Sequence, residues 1–243
     1  MQTDSNSPYE RGATKSVPRQ QSFLIPRNLR QRFFFQFTLM TIIGWIVGGI
    51  ISMLIERTIM EILPPAFLQQ QISYTLGKYL SGLVFAVIFG ADQAIVLHQY
   101  VSGWLWMLAT CVGWLICNGV SAAWINSISS IALSLNKTLF PSEIVILGIL
   151  STLAYILSGI WLGFFQWLVL RRHTKSAWWW NFLPSISFLS ISLLVWLLSF
   201  VQEFPEVHSA QILYVSGQGL TALILGVIPA LGLCQLKRNL PSQ

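Results

Sequence analysis

Six long apolar stretches constrain this chain more than any other feature of its sequence. They cover residues 33–54, 79–97, 103–125, 144–170, 178–200 and 212–236. The hydrocarbon core of a bilayer is about 30 Å thick, and an α-helix needs roughly 20 apolar residues to cross it. Each stretch is close to that length or longer, so the sequence predicts about six transmembrane helices.

Lipid also limits the secondary structure of these stretches. Because hydrocarbon supplies no hydrogen-bond partner, a spanning segment must pair its own backbone groups, which only helices and closed barrels achieve. The apolar residues are continuous rather than alternating, and this pattern excludes a barrel. Only 9% of the 243 residues are charged, against roughly 25% in soluble domains. We therefore expect an all-α membrane protein.

The chain divides into a tail, a bundle and a short end. Residues 1–32 are polar and basic and lack the apolar region of a secretory signal. We expect residues 1–22 to be disordered, because they offer too little apolar surface to offset ordering entropy. Residues 22–32 mix apolar and arginine side chains and should lie at the headgroup level. The bundle follows at 33–236, and residues 237–243 form a short tail.

Basic residues predict the orientation. Eleven of the 14 Lys and Arg residues fall on one side of the six-span topology, and only Arg57, Lys78 and Lys137 fall on the other. By the positive-inside rule, both termini should be cytoplasmic. Orientation and anionic lipid headgroups account for the formal charge of +6, so no nucleic-acid partner is expected.

An internal repeat organises the spans. Residues 90–98 (GADQAIVLH) and 163–171 (GFFQWLVLR) align at an offset of 73, and Trp106 meets Trp179 at the same offset. This pattern predicts three helical hairpin repeats, at 33–98, 103–171 and 178–236. The third has diverged, because Pro229 stands where the earlier hairpins have Gln93 and Gln166.

The repeated segment carries a resemblance to a family. A Gly-x-x-Gln-Trp-x-x-Leu-Arg-Arg segment followed by a tryptophan cluster is present here as Gly163, Gln166, Trp167, Leu170, Arg171 and Arg172, then Trp178, Trp179 and Trp180. The chain thereby resembles small, largely uncharacterised multi-pass membrane proteins that are frequent in cyanobacteria. Gly90, Gln93 and Leu97 match less fully, because His98 and Gln99 replace the arginine pair. The resemblance implies a bacterial plasma or thylakoid membrane and no particular activity.

Asp92 is the only acid within a predicted span. An ionisable group at membrane depth is costly and suggests a function, although Asp92 lies near the cytoplasmic end of its helix, where the cost is lower. Two interpretations stay open. Asp92 could pair with Arg171 or Arg172, and Gln93 and Gln166 could form interhelical hydrogen bonds. Alternatively, Asp92, Gln93, His98 and Gln166 could form a polar ligand site or line a transport path.

A second group of residues is cationic. Arg171, Arg172 and Lys175 form the densest basic cluster outside the tail. Clusters of this kind beside a span bind anionic headgroups. We expect a cytoplasmic contact with anionic lipid here, and a specific acidic partner is the alternative.

Small residues predict where helices pack. Gly82, Ala86 and Gly90 recur every four positions on the second span, and Gly159 and Gly163 do so on the fourth. Small side chains let two helix backbones approach closely. We expect packing faces at these positions, either inside the bundle or between this chain and a membrane-protein partner or second copy.

The sequence contains no constellation that enzyme chemistry requires. It has no nucleophile elbow, phosphate loop or metal-ligand spacing. His98, His173 and His208 lie at helix ends, so we expect no metal, haem or other cofactor. The leading hypothesis is a non-enzymatic accessory, assembly or scaffold protein. The alternative is a small transporter or channel with a polar path near Asp92, Gln93 and Gln166.

Overall fold

The computed structural model describes residues 23–62, 71–134, 141–202 and 210–239, and these are almost entirely helical. Six helices are long and apolar enough to cross a membrane, which confirms the predicted number of spans and the all-α class. The helices are α1 (Arg30–Ile62), α2 (Gln71–Leu97), α3 (Gly103–Ser134), α4 (Pro141–Leu170), α5 (Leu183–Gln202) and α6 (Ala210–Gln235). Residues 1–22 and 240–243, which include most of the two predicted tails, lie outside the described residues.

Several helices are longer than the spans predicted for them. α1 contains 33 residues and α3 contains 32, so each is about 50 Å long at 1.5 Å per residue. The prediction was based on the length of each apolar stretch. That length matches the thickness of the lipid, whereas a helix can continue into polar sequence on either side. Both helices therefore extend well beyond a hydrocarbon core of about 30 Å.

The six helices form a closed ring in chain order. Each helix packs against the next one along the chain, and α1 packs against α6. Short turns at residues 98–102 and 171–176 lie at the same end of the ring as the start of α1 and the end of α6. We call this the terminal end, and the other the opposite end.

Two clusters of apolar side chains fill the ring. The central cluster draws on all six helices and consists of Trp45, Phe89, Trp114, Leu162, Phe188 and Leu225, with Cys117 and Ile191 packed among them. The terminal cluster lies nearer the terminal end, where Leu97, Leu170 and Leu233 are completely buried. The interior of the ring is therefore solid from the terminal end to the central cluster.

The segment before α1 enters the terminal cluster. Leu24 and Ile25 are 3% and 0% exposed, and the Leu24 N–H donates a hydrogen bond to the Leu236 carbonyl oxygen at 2.8 Å. Phe23 forms an isolated bridge with Lys237. These apolar side chains are therefore buried in the terminal end of the ring. That residues 22–32 lie at the headgroup level stays a prediction.

Close helix contacts occur at most of the predicted small residues. A Cβ atom at Gly159 would lie 2.8 Å from the Ser185 backbone nitrogen, one at Gly163 would overlap the Asn181 carbonyl oxygen, and one at Gly90 would lie 3.0 Å from the Met107 oxygen. Ala86 is completely buried. Gly82 is different, because nothing lies within 4 Å of its Cβ position. Gly82 therefore makes no close helix contact within the described part of the bundle, and a packing face toward a partner or second copy at this position stays a prediction.

This difference between glycines gives a test of the packing. We expect Gly163→Ala to lower the free energy of unfolding by about 1–3 kcal/mol, because the added methyl group forces α4 away from Asn181. Gly82→Ala is the matched control and should be neutral or stabilising by up to about 1 kcal/mol, because alanine favours the helix and the space is open. Unfolding by SDS titration in mixed micelles measures both. Equal losses in the two variants would contradict the assigned contacts.

Candidate functional site

Gln93 and Trp106 form a hydrogen bond inside the ring. The Trp106 Nε1–H donates to Gln93 Oε1 at 3.2 Å, and the two side chains are 3% and 0% exposed. Gln93 lies near the end of α2 and Trp106 near the start of α3, so the bond joins the two helices across their turn. Buried polar groups in lipid require partners of this kind.

Gln166 makes the corresponding bond and one more. Its Oε1 accepts from the Trp180 Nε1–H at 3.1 Å, and its Nε2 donates to Thr110 Oγ1 on α3 at 3.2 Å. Trp180 belongs to a 3₁₀ helix, Ala177–Phe182, that leads into α5. The rings of Trp106 and Trp180 meet edge to face, with centroids 5.9 Å apart. These side chains form one buried network, which we call the Gln–Trp network: Gln93, Trp106, Thr110, Gln166 and Trp180.

The second bond uses a different tryptophan from the one in the sequence alignment. The offset of 73 pairs Trp106 with Trp179, but Trp180 reaches Gln166 in the structure. Gln93 and Trp106 are 13 residues apart, whereas Gln166 and Trp180 are 14 apart. The second turn therefore contains one extra residue, and Trp179 is half-buried against the terminal cluster instead of bonding to Gln166.

Asp92 lies apart from this network. Its carboxylate faces α1, where a Cβ atom at Gly44 would lie 2.6 Å from Oδ2. Within the described residues the carboxylate has no hydrogen bond or ion pair, and the one ion pair found there joins Arg57 to Glu61. The predicted pairing with Arg171 or Arg172 is wrong, because those residues follow α4 and Asp92 faces the other side of α2.

The four residues predicted as a ligand site do not converge. Gln93 and Gln166 belong to the Gln–Trp network, whereas Asp92 faces Gly44. His98 is exposed and its Nδ1 contacts the carbonyl oxygen of Ile95. Consecutive helical residues point about 100° apart, so neighbours in sequence such as Asp92 and Gln93 face different surroundings. The sequence interpretation as one site is therefore wrong.

No family model, curated protein or solved structure matches this chain. What the protein can do therefore follows from its own geometry. In the described part of the chain, no three His, Cys, Asp or Glu side chains come together. Cys117 and Ser158 form one contact between potentially reactive groups, with Sγ and Oγ 3.1 Å apart, and the Ser158 hydroxyl also donates to the Tyr155 carbonyl oxygen.

The three predicted cationic residues, Arg171, Arg172 and Lys175, lie at the terminal end, and their surroundings differ. Arg171 is exposed and lies over the Trp167 ring, with its guanidinium carbon 5.3 Å from the ring centroid. Arg172 is exposed in the turn. Lys175 belongs to strand β1 (Thr174–Lys175), which pairs antiparallel with β2 (Lys237–Arg238).

This pairing brings together residues that the sequence interpretation kept apart. Lys175 stands opposite Lys237, and Thr174 stands opposite Arg238. Together with Trp179, these basic residues line a surface pocket. The Lys-Arg pair directly after the last span was a signal of a basic surface, but two-residue strands carry no sequence pattern that would place it beside Lys175.

The Gln–Trp network makes a testable contribution to stability. We expect Gln166→Leu to lower the free energy of unfolding by about 1–3 kcal/mol, because it leaves the buried Trp180 N–H without an acceptor. In a Trp180→Phe background that N–H is absent, and the same substitution should cost less. SDS titration of the four proteins in this double-mutant cycle measures the coupling. Equal costs in both backgrounds would show that the bond contributes nothing.

Proposed function

We propose that this protein is a non-enzymatic accessory, assembly or scaffold component of a bacterial plasma or thylakoid membrane. One observation carries the proposal: the ring is filled by apolar side chains from all six helices, with interlocked aromatic rings from α1 to α5 and Leu225 from α6. A protein with a solid interior acts through its surface. The two glutamines that could have lined a path donate and accept hydrogen bonds within the Gln–Trp network instead.

Ring contacts in the central cluster support a static interior. The Trp45 and Trp114 centroids are 6.1 Å apart with the rings nearly perpendicular, and Trp114 meets Phe188 in the same way at 6.3 Å. Phe188 in turn stacks on Tyr155 at 4.7 Å. Edge-to-face and stacked pairs each contribute about 0.5–1.5 kcal/mol beyond their buried area. Opening this cluster would break several such contacts at once.

The three-hairpin repeat belongs to this proposal, with the third hairpin diverged. It is supported by equivalent contacts at three interfaces. In each of the first two repeats, a glycine lies three residues before the glutamine and contacts the residue that follows the bonded tryptophan. Gly90 contacts Met107 in this way, and Gly163 contacts Asn181. In the third hairpin Gly226 meets Thr38 of α1. There Phe37 takes the tryptophan position and Pro229 the glutamine position, so the hydrogen bond is replaced by apolar packing.

The proposed orientation places the terminal end in the cytoplasm. All the described basic residues other than Arg57 and Lys78 lie at the terminal end. Anionic headgroups of the bilayer are the partners that this charge fits, at about 1 kcal/mol for each residue near the surface. The same charge would fit nucleic acid, but residues at the ends of transmembrane helices meet headgroups first.

A lateral groove between α1 and α2 gives the surface a place for a membrane-protein partner or a second copy. It has a volume of about 370 Å³ and is lined mainly by apolar side chains: Phe33, Gln36, Leu39, Met40, Ile95, Val96, Gln99 and Tyr100. Leu39 and Ile95 are more than half exposed. Such a groove can receive a side chain from another transmembrane helix.

This groove provides the test of the scaffold proposal. We expect the tagged protein to migrate as a complex larger than one chain when it is extracted from its native membrane in mild detergent. Leu39→Trp should reduce that complex, because the indole fills the groove. Leu193→Trp is the matched control, since Leu193 is similarly exposed on α5. A single-chain particle in native membranes, or equal effects of both variants, would contradict the proposal.

A transporter or channel is the second candidate, and two observations favour it. Asp92 has no partner for its carboxylate within the described residues, and exposed side chains continue the cluster-facing sides of α3 and α5 toward the opposite end. Asn118 lies four residues after Trp114 and Val195 four residues after Ile191, so both share a face with the cluster. Both are nevertheless exposed, Val195 by 58%. A polar solute could reach the cluster from the opposite end.

The transport candidate predicts a specific loss of flux. A carboxyl group that carries protons or cations requires its charge, so Asp92→Asn should abolish uptake by proteoliposomes loaded with a pH-sensitive dye. Glu61→Gln is the control, because that acid is exposed and paired with Arg57. Equal flux through the wild type and the Asp92→Asn variant would remove Asp92 from any transport mechanism.

A further inference from the structure

A surface pocket at the terminal end combines three cationic side chains with apolar and uncharged polar ones. Its volume is about 470 Å³, and it lies between the end of α6 and the segment that leads into α5. The side chains that line it include Lys175, Ser176, Trp179, Lys237 and Arg238. We call this the β-ribbon pocket, because β1 and β2 supply its cations.

The strand pairing places two like charges side by side. Lys175 and Lys237 are directly opposite in the antiparallel register, where Cβ atoms are about 4.5–5.5 Å apart and like charges repel. In the described part of the chain, the acidic residues at Glu56, Glu61 and Glu143 lie at the opposite end, and Asp92 faces Gly44. The protein groups described here therefore leave this repulsion uncompensated.

The backbone holds the two strands firmly despite the repulsion. Thr174 is 3% exposed and its hydroxyl donates to the Leu170 carbonyl oxygen at 2.8 Å. On the far side of the ribbon, the Asn239 N–H donates to the His173 carbonyl oxygen at 2.8 Å. Phe23 forms a bridge to Lys237. The backbone positions of the two lysines are thus fixed before any ligand arrives, so binding has only their side chains to order.

A neighbouring arginine also has donors without acceptors. The Arg30 guanidinium lies over the Phe23 ring at 4.0 Å, and Arg27 lies over the same ring at 5.3 Å. Arg30 Nε and one terminal nitrogen are buried and have no hydrogen-bond partner among the described residues. These groups add to the positive potential beside Lys237.

Tryptophans place the pocket at the level of lipid headgroups. Trp179 lines the pocket, and Trp178 beside it is 63% exposed. Indole rings settle where apolar tails meet polar headgroups. Ser176 has a left-handed backbone conformation, with φ of 54°, and adds a hydroxyl to the pocket. Cations, a hydroxyl and an indole at this depth suit a charged headgroup that carries an acyl tail.

We propose that the β-ribbon pocket binds the phosphate group of an anionic lipid headgroup. A phosphodiester brings one full negative charge and oxygen acceptors, which compensate the repulsion between Lys175 and Lys237 and accept hydrogen bonds from both. Arg238 supplies a further donor set suited to phosphate. This site goes beyond the scaffold proposal and does not depend on it, because a transporter could hold the same lipid.

Native mass spectrometry of the delipidated protein, titrated with dioleoyl-phosphatidylglycerol, tests this site. We expect a saturable adduct of one lipid, and a much weaker one with phosphatidylcholine, whose headgroup has no net charge. Lys175→Gln and Lys237→Gln should each weaken the phosphatidylglycerol adduct about fivefold, the equivalent of removing one cation at an anionic surface. The double variant Lys175→Arg with Lys237→Arg keeps the charge and should retain the adduct.

Two controls separate a defined pocket from general attraction. Arg172→Gln removes one exposed cation from the same turn but from outside the pocket. It takes away only a general headgroup contact, so it should weaken the one-lipid adduct much less than Lys175→Gln does. Equal weakening by Arg172→Gln and Lys175→Gln would overturn the proposal, because it would show a diffuse basic surface. Calorimetry with glycerol phosphate is the second control. Binding of this soluble ester as tightly as the lipid would also overturn it, since the tail and membrane depth would then play no part.

Stability provides an independent readout of the same site. In neutral micelles, Lys175→Gln should raise the unfolding temperature, because it removes the repulsion from Lys237. Phosphatidylglycerol should raise the unfolding temperature of the wild type more than that of the variant. A variant that is less stable in neutral micelles, yet gains as much as the wild type from the lipid, would contradict the assignment.

Discussion

The amide of Gln166 joins three parts of the chain, and the arrangement of the ring depends on it. The side chain starts on α4, donates to Thr110 of α3 and accepts from Trp180 before α5. Apolar helix surfaces have little hydrophobic driving force to associate in a bilayer, because the lipid tails around them are equally apolar. A buried amide with two hydrogen-bond partners holds the helices together and also fixes their relative orientation. Gln93 and Trp106 do the same between α2 and α3. The ring closes between α1 and α6 through the close contact of Gly226 with Thr38 and a hydrogen bond from the Trp45 Nε1–H to Gln218 Oε1 at 3.1 Å.

The sequence predicted the number and positions of the helices, because bilayer thickness imposes one length on every span. It could not predict the order of helices around the ring, which depends on side-chain contacts between distant segments. Leu24 and Ile25 illustrate the limit. They precede the first span, and their composition suggests the headgroup level. It gives no sign that both side chains are buried in the terminal cluster.

The candidate site was predicted in part for a similar reason. Gln93 and Gln166 stood out because polar side chains in apolar stretches are rare, but their tryptophan partners depend on the length of a turn. One extra residue in the second turn exchanges Trp179 for Trp180. Asp92 was recognised as unusual, while its surroundings depended on the rotation of α2, which places it against Gly44. The sequence shows which side chains are chemically unusual for a membrane span. Their orientation relative to one another can be read only from the packed structure.

The contact between Leu24 and Leu236 has a consequence for biosynthesis. The two residues lie near opposite ends of the chain, and their hydrogen bond and buried side chains form across the seam where α1 meets α6. A ribosome makes Leu24 first, but its partner emerges only after the last helix has been synthesised. The amino-terminal segment can therefore reach its native contact with Leu236 only after α6 has been made. Closure of the ring across this seam completes the buried site of Leu24 and Ile25, and a chain truncated before α6 would lack that partner.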